Sequence, residues 1–475
     1  MRIVIDLQGA QCGSRHRGIG RYSLALTQAL LRLRGEHEIH VLLNGLFADT
    51  ISPLRDALAP MVGGDRIHVW QAAGPVASAD PQNDLRRKLA ELAREAAIAA
   101  LQPDWVLVTS FLEGFGDDAA ASIGRLPSGA ATAAIFYDAI PLVESDKYLK
   151  PNPALESAYR RKIDFLGRAD LLLAISESSR QEAITHLGIA PERVVYIGAA
   201  ADRIFSPQPV PPEAAARLKS RFGITRGFVL CSGAADPRKN HVRLLNAFAR
   251  LEPQVRARHQ LVMAGEVPGS HRQAMDRHIR ECGLQPGEVV WTGRVTDGEL
   301  QQLYSLCTLF VFPSWHEGFG LPALEAMSCG APVIGANTTS VPEVIGVDWA
   351  LFDPFDEAAI AARMEEFLTQ PALRERMVAH GLQRSRDFSW DSCAARAIAA
   401  METASRPLPS ARGQVEARQL AAQLDEVSAC LARQDSQLRV GTYRVSVRAA
   451  ARMLGRALRR EYATARRKLK RRLGF

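Results

Sequence analysis

Short apolar runs recur along the chain and alternate with longer stretches of mixed character. Ile3-Val4-Ile5-Asp6-Leu7 is the first run, ending near Gly9, and a helical stretch follows from Tyr22 to Leu33. His40 to Leu43, Trp105 to Thr109, Ala133 to Tyr137 and Leu171 to Ile175 repeat the run, with Asp84 to Leu101 helical between them. Apolar runs of strand length separated by helical stretches predict βαβ units around a parallel sheet. Ser206-Pro207-Gln208-Pro209-Val210-Pro211-Pro212 then interrupts the pattern, because four prolines in seven residues suit neither a helix interior nor a central strand. The alternation restarts at Phe228-Val229-Leu230-Cys231 and continues through Gln260 to Ala264, Val289 to Thr292, Leu309 to Phe312 and Pro332 to Ile334.

The pattern predicts an α/β chain with two Rossmann-like domains facing a cleft, plus a helical basic C-terminal tail. A first domain is expected over 1–205, a linker over 206–225, a second domain over 226–386, a further helix over 387–405, and the tail over 406–475. Ligands in such folds sit at the carboxyl ends of the strands.

Composition changes this picture at one end only. The net charge is +8 over 475 residues, but residues 441–475 hold twelve Arg or Lys against Glu461 alone, a net of +11. Taking +11 from +8 leaves the preceding 440 residues at −3, so any polyanion-binding argument belongs to the tail. Leu420, Leu424, Val427 and Leu431 are spaced for a short coiled coil within 415–438, a route to self-association or to a partner enzyme. Arg444, Arg448, Arg452 and Arg456 recur every four residues, on one face of any helix formed there. Such a basic amphipathic segment suits an anionic membrane surface, with a solvated basic tail as the alternative. Asp6 interrupts the first apolar run too early for a signal peptide. No stretch approaches the roughly 18 apolar residues that span a bilayer. Seven scattered cysteines without a C-x-x-C pair suit free thiols in a reducing cytosol. The expected location is cytoplasmic, peripheral on the inner face of the cytoplasmic membrane.

Chemistry concentrates in four loops. The segment Ser314-Trp315-His316-Glu317-Gly318-Phe319-Gly320-Leu321-Pro322-Ala323-Leu324-Glu325 follows a strand and opens a helix at Pro322. Gly318 and Gly320 allow close backbone approach, and the helix start offers N–H groups to a diphosphate. Glu317 and Glu325, eight apart, either address different parts of a nucleotide-sugar or are simply solvated. Gly233-Ala234-Ala235-Asp236-Pro237-Arg238-Lys239 follows the first strand of the second domain and places a basic pair in a βα loop. Gly9 to Tyr22 is glycine-rich, with Gly18, Gly20 and Arg21 placed either to contact a phosphate or only to start a helix. Tyr137-Asp138 ends a strand; Tyr137 either donates a hydrogen bond to a sugar or packs as a strand-end aromatic.

The EGFGLPALEAM stretch, with Glu317-x7-Glu325, resembles the signature of glycosyltransferase family 4, whose fold is called GT-B. The resemblance covers roughly residues 1–405 and implies that 1–205 is the acceptor-side domain, that 226–386 is the donor-binding domain and that the helix over 387–405 crosses back to the first domain. It implies that Lys239 holds the donor diphosphate; Ala234 stands where relatives carry an Arg, and Arg238 is the neighbouring substitute. It places Glu325 on the ribose, Val295 in Gly293-Arg294-Val295 beside the base, and Gly318, Phe319, Gly320 and Leu321 around the donor. Tyr137 stands where relatives often carry a His, and Ser176 resembles a helix N-cap late in the first domain. DLQGAQ…RGIGRY is similar to O-antigen and A-band polysaccharide mannosyltransferases that use GDP-mannose. The implied reaction is retaining transfer of a sugar to a growing lipid-linked surface polysaccharide, in lipopolysaccharide biosynthesis. Glu317, Lys239 and Arg238 are the implied catalytic set. No cofactor or metal is expected, since cationic side chains replace a metal and no metal-ligand spacing is evident. The alternatives are a glucosyltransferase using UDP- or ADP-glucose, a nucleotide-sugar epimerase, and, through the tail, a nucleic-acid-binding protein.

Overall fold

Seven strands form one wholly parallel sheet: β1 Arg2–Asp6, β2 Glu38–Asn44, β3 Ile67–Trp70, β4 Trp105–Val108, β5 Ala131–Phe136, β6 Leu171–Ala174 and β7 Val194–Tyr196. Their order is β3-β2-β1-β4-β5-β6-β7. Six more form a second parallel sheet: β8 Gly227–Ser232, β9 His259–Ala264, β10 Val289–Gly293, β11 Leu309–Phe312, β12 Val333–Ala336 and β13 Leu351–Phe352, in the order β10-β9-β8-β11-β12-β13. The structure, a computed structural model, describes residues 1–126 and 129–404. The coiled-coil stretch 415–438 and the basic segment 441–475 lie outside the described residues.

The strands are as apolar as they are because helices cover both faces of a parallel sheet. β4, β6 and β11 are buried at every position. Asp6, at the end of β1, is a polar exception with a structural purpose. It is fully buried, 2.5 Å from Arg94 Nε, and accepts two hydrogen bonds from the Gln8 amide. A buried carboxylate is tolerated only when so partnered, and removing Arg94 would strand it at a cost of about 3–5 kcal/mol. The pairing fixes the chain where it leaves β1 for the glycine-rich loop.

Each sheet reverses its strand order once, at β1/β4 and at β8/β11. Loops leaving adjacent strands that run outward in opposite directions part there, and the gap is where doubly wound sheets bind ligands. The loops after β8 and β11 are Gly233–Lys239 and Ser314–Gly320. Topology alone therefore brings the basic pair beside the glutamate signature.

The first compact unit comprises Met1–Ala174, Arg180–Ile197 and the helix Trp390–Ala404; the second comprises Ile175–Ser179 and Gly198–Ser389. Trp390 meets Tyr22 edge-on at 4.9 Å between ring centroids, and Asp391 accepts from Arg32 at 2.6 Å, fastening Trp390–Ala404 to the helix Gly18–Arg32. The stretch 206–225 departs from the expected linker. Residues Pro212–Phe222 form a helix that ends on left-handed Gly223. Pro212 lies in the first turn, where a missing N–H costs nothing, and Glu213 to Leu218 are good helix formers. The change of unit falls earlier, between Ile197 and Gly198.

Candidate active site

In the second unit, the chain turns sharply after β8. Asp236 accepts from the Arg238 backbone N–H at 3.0 Å, capping a single 3-10 turn over Pro237–Lys239. Asn240 then adopts a left-handed conformation, φ 60°, and donates to the carbonyls of Pro313 and Pro354 at 3.1 and 2.6 Å. This one side chain ties the turn to the loops after β11 and β13.

The loop after β11 is pinned along its length. Trp315 N–H donates to the Arg238 carbonyl at 3.0 Å, and Thr338 Oγ1 donates to the Trp315 carbonyl at 2.9 Å. Glu317 N–H donates to Thr339 Oγ1 at 3.1 Å, while Ser340 Oγ donates to the Glu317 carbonyl at 2.9 Å. Thr339 is held at φ 52°, an uncommon conformation for a β-branched residue. Gly320, φ 101°, precedes the helix Leu321–Ser328 and, as its N-cap, brings no side chain to that helix start. An L side chain at Gly320 would be strained by this φ.

These constraints bring three of the expected residues together. Glu317 Oε1 lies 2.5 Å from Lys239 Nζ, and Oε2 lies 2.9 Å from Arg238 Nη1. Arg238 also donates to the His316 carbonyl at 3.0 Å and stands 3.5 Å from Asp236. Burial opposes ionisation of Glu317, but Lys239 and Arg238 outweigh it and hold its pKa down at about 2. Burial, with Lys239 adding to it, pushes the adjacent His241 down to about 4, so that ring is neutral at pH 7.

The remaining donor-side residues surround this cluster in sequence but hold different contacts. The Gly318 carbonyl accepts from Ser179 Oγ at 2.9 Å, and Ser179 N–H is capped by Ser176 Oγ at 2.8 Å. Phe319 is buried edge-on against Phe388, with centroids 5.6 Å apart. Leu321 opens the signature helix, and Glu325, on its second turn, is buried and accepts from Tyr304 Oη at 3.3 Å. Tyr304 in turn meets Ser232 Oγ at 3.1 Å, so Glu325 connects through it to the end of β8. Val295 is half-buried in the loop after β10.

In the first unit, Gly18 and Arg21 lie on the opening turn of Gly18–Arg32, Gly18 exposed and Arg21 half-buried. Gly20 is dictated by packing: a Cβ there would fall 2.3 Å from Arg15 Cα. Tyr137 Oη lies 2.9 Å from the Thr109 carbonyl and 3.3 Å from Ser23 Oγ, so its hydroxyl joins β4 and β5 to that helix. Burial drives its phenol pKa far upward. Asp138 accepts from the Ile140 N–H at 3.1 Å. At the same strand-order reversal Cys12, Glu113 and Asp117 converge, with potential ligand atoms within 4.8 Å of one another. Burial, joined by Glu113 and Asp117, pushes the Cys12 thiol up to about 12. Sequence reading did not single out this group, because a hundred residues separate Cys12 from the two acids.

Residues 16–203 match the family model described as Glycosyltransferase Family 4, and residues 215–384 match Glycosyl transferases group 1. The chain belongs to glycosyltransferase family 4, with the GT-B fold. It is 38% identical over 399 residues to the serotype-specific mannosyltransferase WbdA of Escherichia coli, covering 84% of this chain and 47% of that protein. It is 36% identical over 233 residues to the Escherichia coli O-antigen chain mannosyltransferase B, covering 49% of this chain and 60% of that protein. The chain thus spans about half the length of the curated relatives it matches. Among solved structures it is similar to Anabaena Alr3699/HepE in complex with UDP and glucose, with TM-score 0.61 and 17% identity over 85% of this chain and 100% of that one. No helix among the described residues is long and apolar enough to cross a membrane.

Proposed function

We propose that this chain is a retaining mannosyltransferase that moves mannose from GDP-mannose to a growing lipid-linked O-antigen polysaccharide. The observation that carries the reading is the Arg238–Lys239–Glu317 cluster, at the strand-order reversal and in the loop that leads to a helix start with glycine as its N-cap. The serotype-specific mannosyltransferase and the O-antigen chain mannosyltransferase among the relatives support the sugar, and the second supports the acceptor class.

In this reading Lys239 and Arg238 bind the donor diphosphate, and Glu317 holds both cations in place before the donor arrives. The sugar C1–O bond to phosphate breaks as the bond from C1 to the acceptor oxygen forms. The acceptor's hydroxyl proton passes to the departing phosphate oxygen on the same face, which retains the anomeric configuration. Negative charge grows on that phosphate as the bond breaks, so cations fixed beforehand stabilise the transition state more than the ground state. Glu325 takes the ribose, Val295 flanks the base, and Gly318 to Leu321 approach the phosphates. Gly18, Gly20, Arg21, Tyr137 and Asp138 form the acceptor side. No metal takes part in turnover. The basic segment 441–475 meets the anionic inner face of the cytoplasmic membrane, and 415–438 pairs with a second copy or a partner enzyme.

Purified protein offered GDP-, UDP- and ADP-sugars in the presence of EDTA tests the reading. Consumption of GDP-mannose, with an α-linked product on an O-antigen acceptor, is expected. Preference for a UDP- or ADP-sugar, an inverted product, or strict dependence on magnesium or manganese would overturn it.

A further inference from the structure

On the second unit, away from the strand-order reversal, a thiol and an imidazole share one acceptor. Cys282, the C-terminal cap of the helix Gly269–Glu281, follows His278 by one helical turn. Cys282 Sγ lies 3.0 Å from Asn246 Oδ1, His278 Nε2 lies 2.7 Å from that same oxygen, and sulfur and nitrogen are 3.4 Å apart. Asn246 belongs to the neighbouring helix His241–Ala249, which follows the Lys239 turn.

A second layer orients Asn246 and places a carboxylate near His278. Asn246 Nδ2 donates to Glu357 Oε1 at 2.6 Å, which turns its oxygen toward the sulfur and nitrogen. His278 Nδ1 lies 3.8 Å from Glu281 Oε2. Arg250 pairs with the other Glu357 oxygen at 3.1 Å, leaving Oε1 to the amide. Cys282 and His278 are half-buried, so solvent reaches them.

We propose that Cys282, His278 and Asn246 form a site for a thiophilic divalent cation of the zinc class. Metal–sulfur and metal–nitrogen bonds of ~2.3 and ~2.0 Å place a tetrahedral S···N pair about 3.5 Å apart, close to the 3.4 Å here. In the Nε2–H tautomer two protons, one on sulfur and one on Nε2, point at a single oxygen, and a cation replaces both. The thiol proton leaves to solvent. The imidazole proton moves to Nδ1, facing Glu281, in the carboxylate–histidine–metal arrangement common to such sites. Asn246 Oδ1 supplies the third ligand after retreating by about half an ångström, and water the fourth.

The alternative, a reactive cysteine, fits the surroundings poorly. Burial, then Glu357 and Glu281, raises the Cys282 pKa, which disfavours a free thiolate, whereas the same carboxylates favour a cation. The expected consequence is structural: the ion clips the end of Gly269–Glu281 to His241–Ala249.

Cobalt(II) titration of the full-length protein tests this without using turnover. Wild type should develop a near-ultraviolet thiolate-to-cobalt absorption saturating at one equivalent, and zinc should raise its melting temperature. Cys282→Ser and His278→Ala, verified as folded by circular dichroism, should lose both responses. Glu281→Gln, which leaves the ligands intact, should weaken binding by roughly tenfold or more. A wild-type protein with neither response, or a band of full height in Cys282→Ser, overturns the proposal.

Discussion

Lys239 Nζ stands 2.5 Å from Glu317 Oε1, although 78 residues separate them in sequence. Arg238 occupies the other carboxylate oxygen, so one buried anion holds two cations at fixed positions. An ion cluster of this kind is a weak source of net stability, because desolvation offsets most of the attraction. Its value in the proposed reaction is that both cations are placed before charge develops on the leaving phosphate.

The first prediction follows from that arrangement. Lys239→Ala and Glu317→Ala should each lower kcat/KM by far more than tenfold. Glu317→Ala also removes the buried carboxylate that pairs with Lys239 and Arg238, at a cost of up to about 3–5 kcal/mol in stability. Steady-state rates should therefore be read beside thermal melts, with Glu317→Gln as the milder variant. A folded variant keeping over about a tenth of wild-type activity, a loss under ~1.4 kcal/mol of barrier, would remove that residue from the catalytic set.

Acid should reveal the same cluster. Glu317 has a folded pKa near 2 against an ordinary value of 4.5. A depressed carboxyl contributes stability that is complete above its unfolded pKa and disappears as pH falls through the folded one. The contribution is on the order of 3 kcal/mol, because a tenfold change in proton affinity between the folded and unfolded chain corresponds to about 1.4 kcal/mol. Urea melts of wild type and Glu317→Gln should differ most near pH 6 and converge between pH 4.5 and 2. A stability difference that stays constant over that range would show that ionisation of Glu317 is not its source.

Legibility in the sequence tracked how local each cause is. The runs at Trp105 to Thr109 and Leu309 to Phe312 announce strands because both their faces are covered, and the structure places β4 and β11 there. β3, Ile67–Trp70, carries only two fully buried positions, and β13 has two residues, so neither produces a run to read. Prolines between 207 and 212 suggested a linker, yet Pro212 begins a helix, since proline also suits a first helical turn, and the change of unit falls earlier in the chain. Glu317, Arg238 and Lys239 were each legible from their motifs, while their mutual pairing depends on the order β8-β11, which no local pattern encodes. The link from Ser232 through Tyr304 to Glu325 was missed for the same reason, because Tyr304 lies outside every motif.

That link yields a graded prediction. Glu325→Ala should raise the donor KM with little change in kcat, as expected of a residue that binds the ribose alike in ground and transition states. Tyr304→Phe removes only the hydroxyl that steadies Glu325, so it should shift KM in the same direction by a smaller factor. The buried ring keeps its edge contact with Phe310 at 5.2 Å between centroids, which argues against gross unfolding. Donor titrations at saturating acceptor measure both. A fall in kcat with unaltered KM in Glu325→Ala would assign that carboxylate to the chemical step instead.

The last prediction concerns the basic tail, whose charge is wholly unlike that of the body. Residues 441–475 carry a net +11, against −3 for everything before them. Arg444, Arg448, Arg452 and Arg456 share one face of any helix formed there, with Val447, Leu454 and Leu458 as a modest apolar set and Tyr443 and Tyr462 near its ends. Each basic residue near an anionic leaflet contributes about 1 kcal/mol before screening, so several together suffice for reversible attachment. A transferase whose acceptor hangs from a lipid gains from this, because attachment confines the enzyme to the layer that holds its substrate. Salt should weaken the attachment steeply, since the Debye length falls from about 10 Å at 0.1 M to 3 Å at 1 M. Flotation with vesicles containing acidic phospholipid should therefore carry the full-length protein upward at low salt and release it at high salt. A form ending near Arg412 should stay at the bottom while turning over a soluble acceptor at the wild-type rate. Equal flotation of both forms, or none of either at low salt, would remove the tail as a membrane anchor.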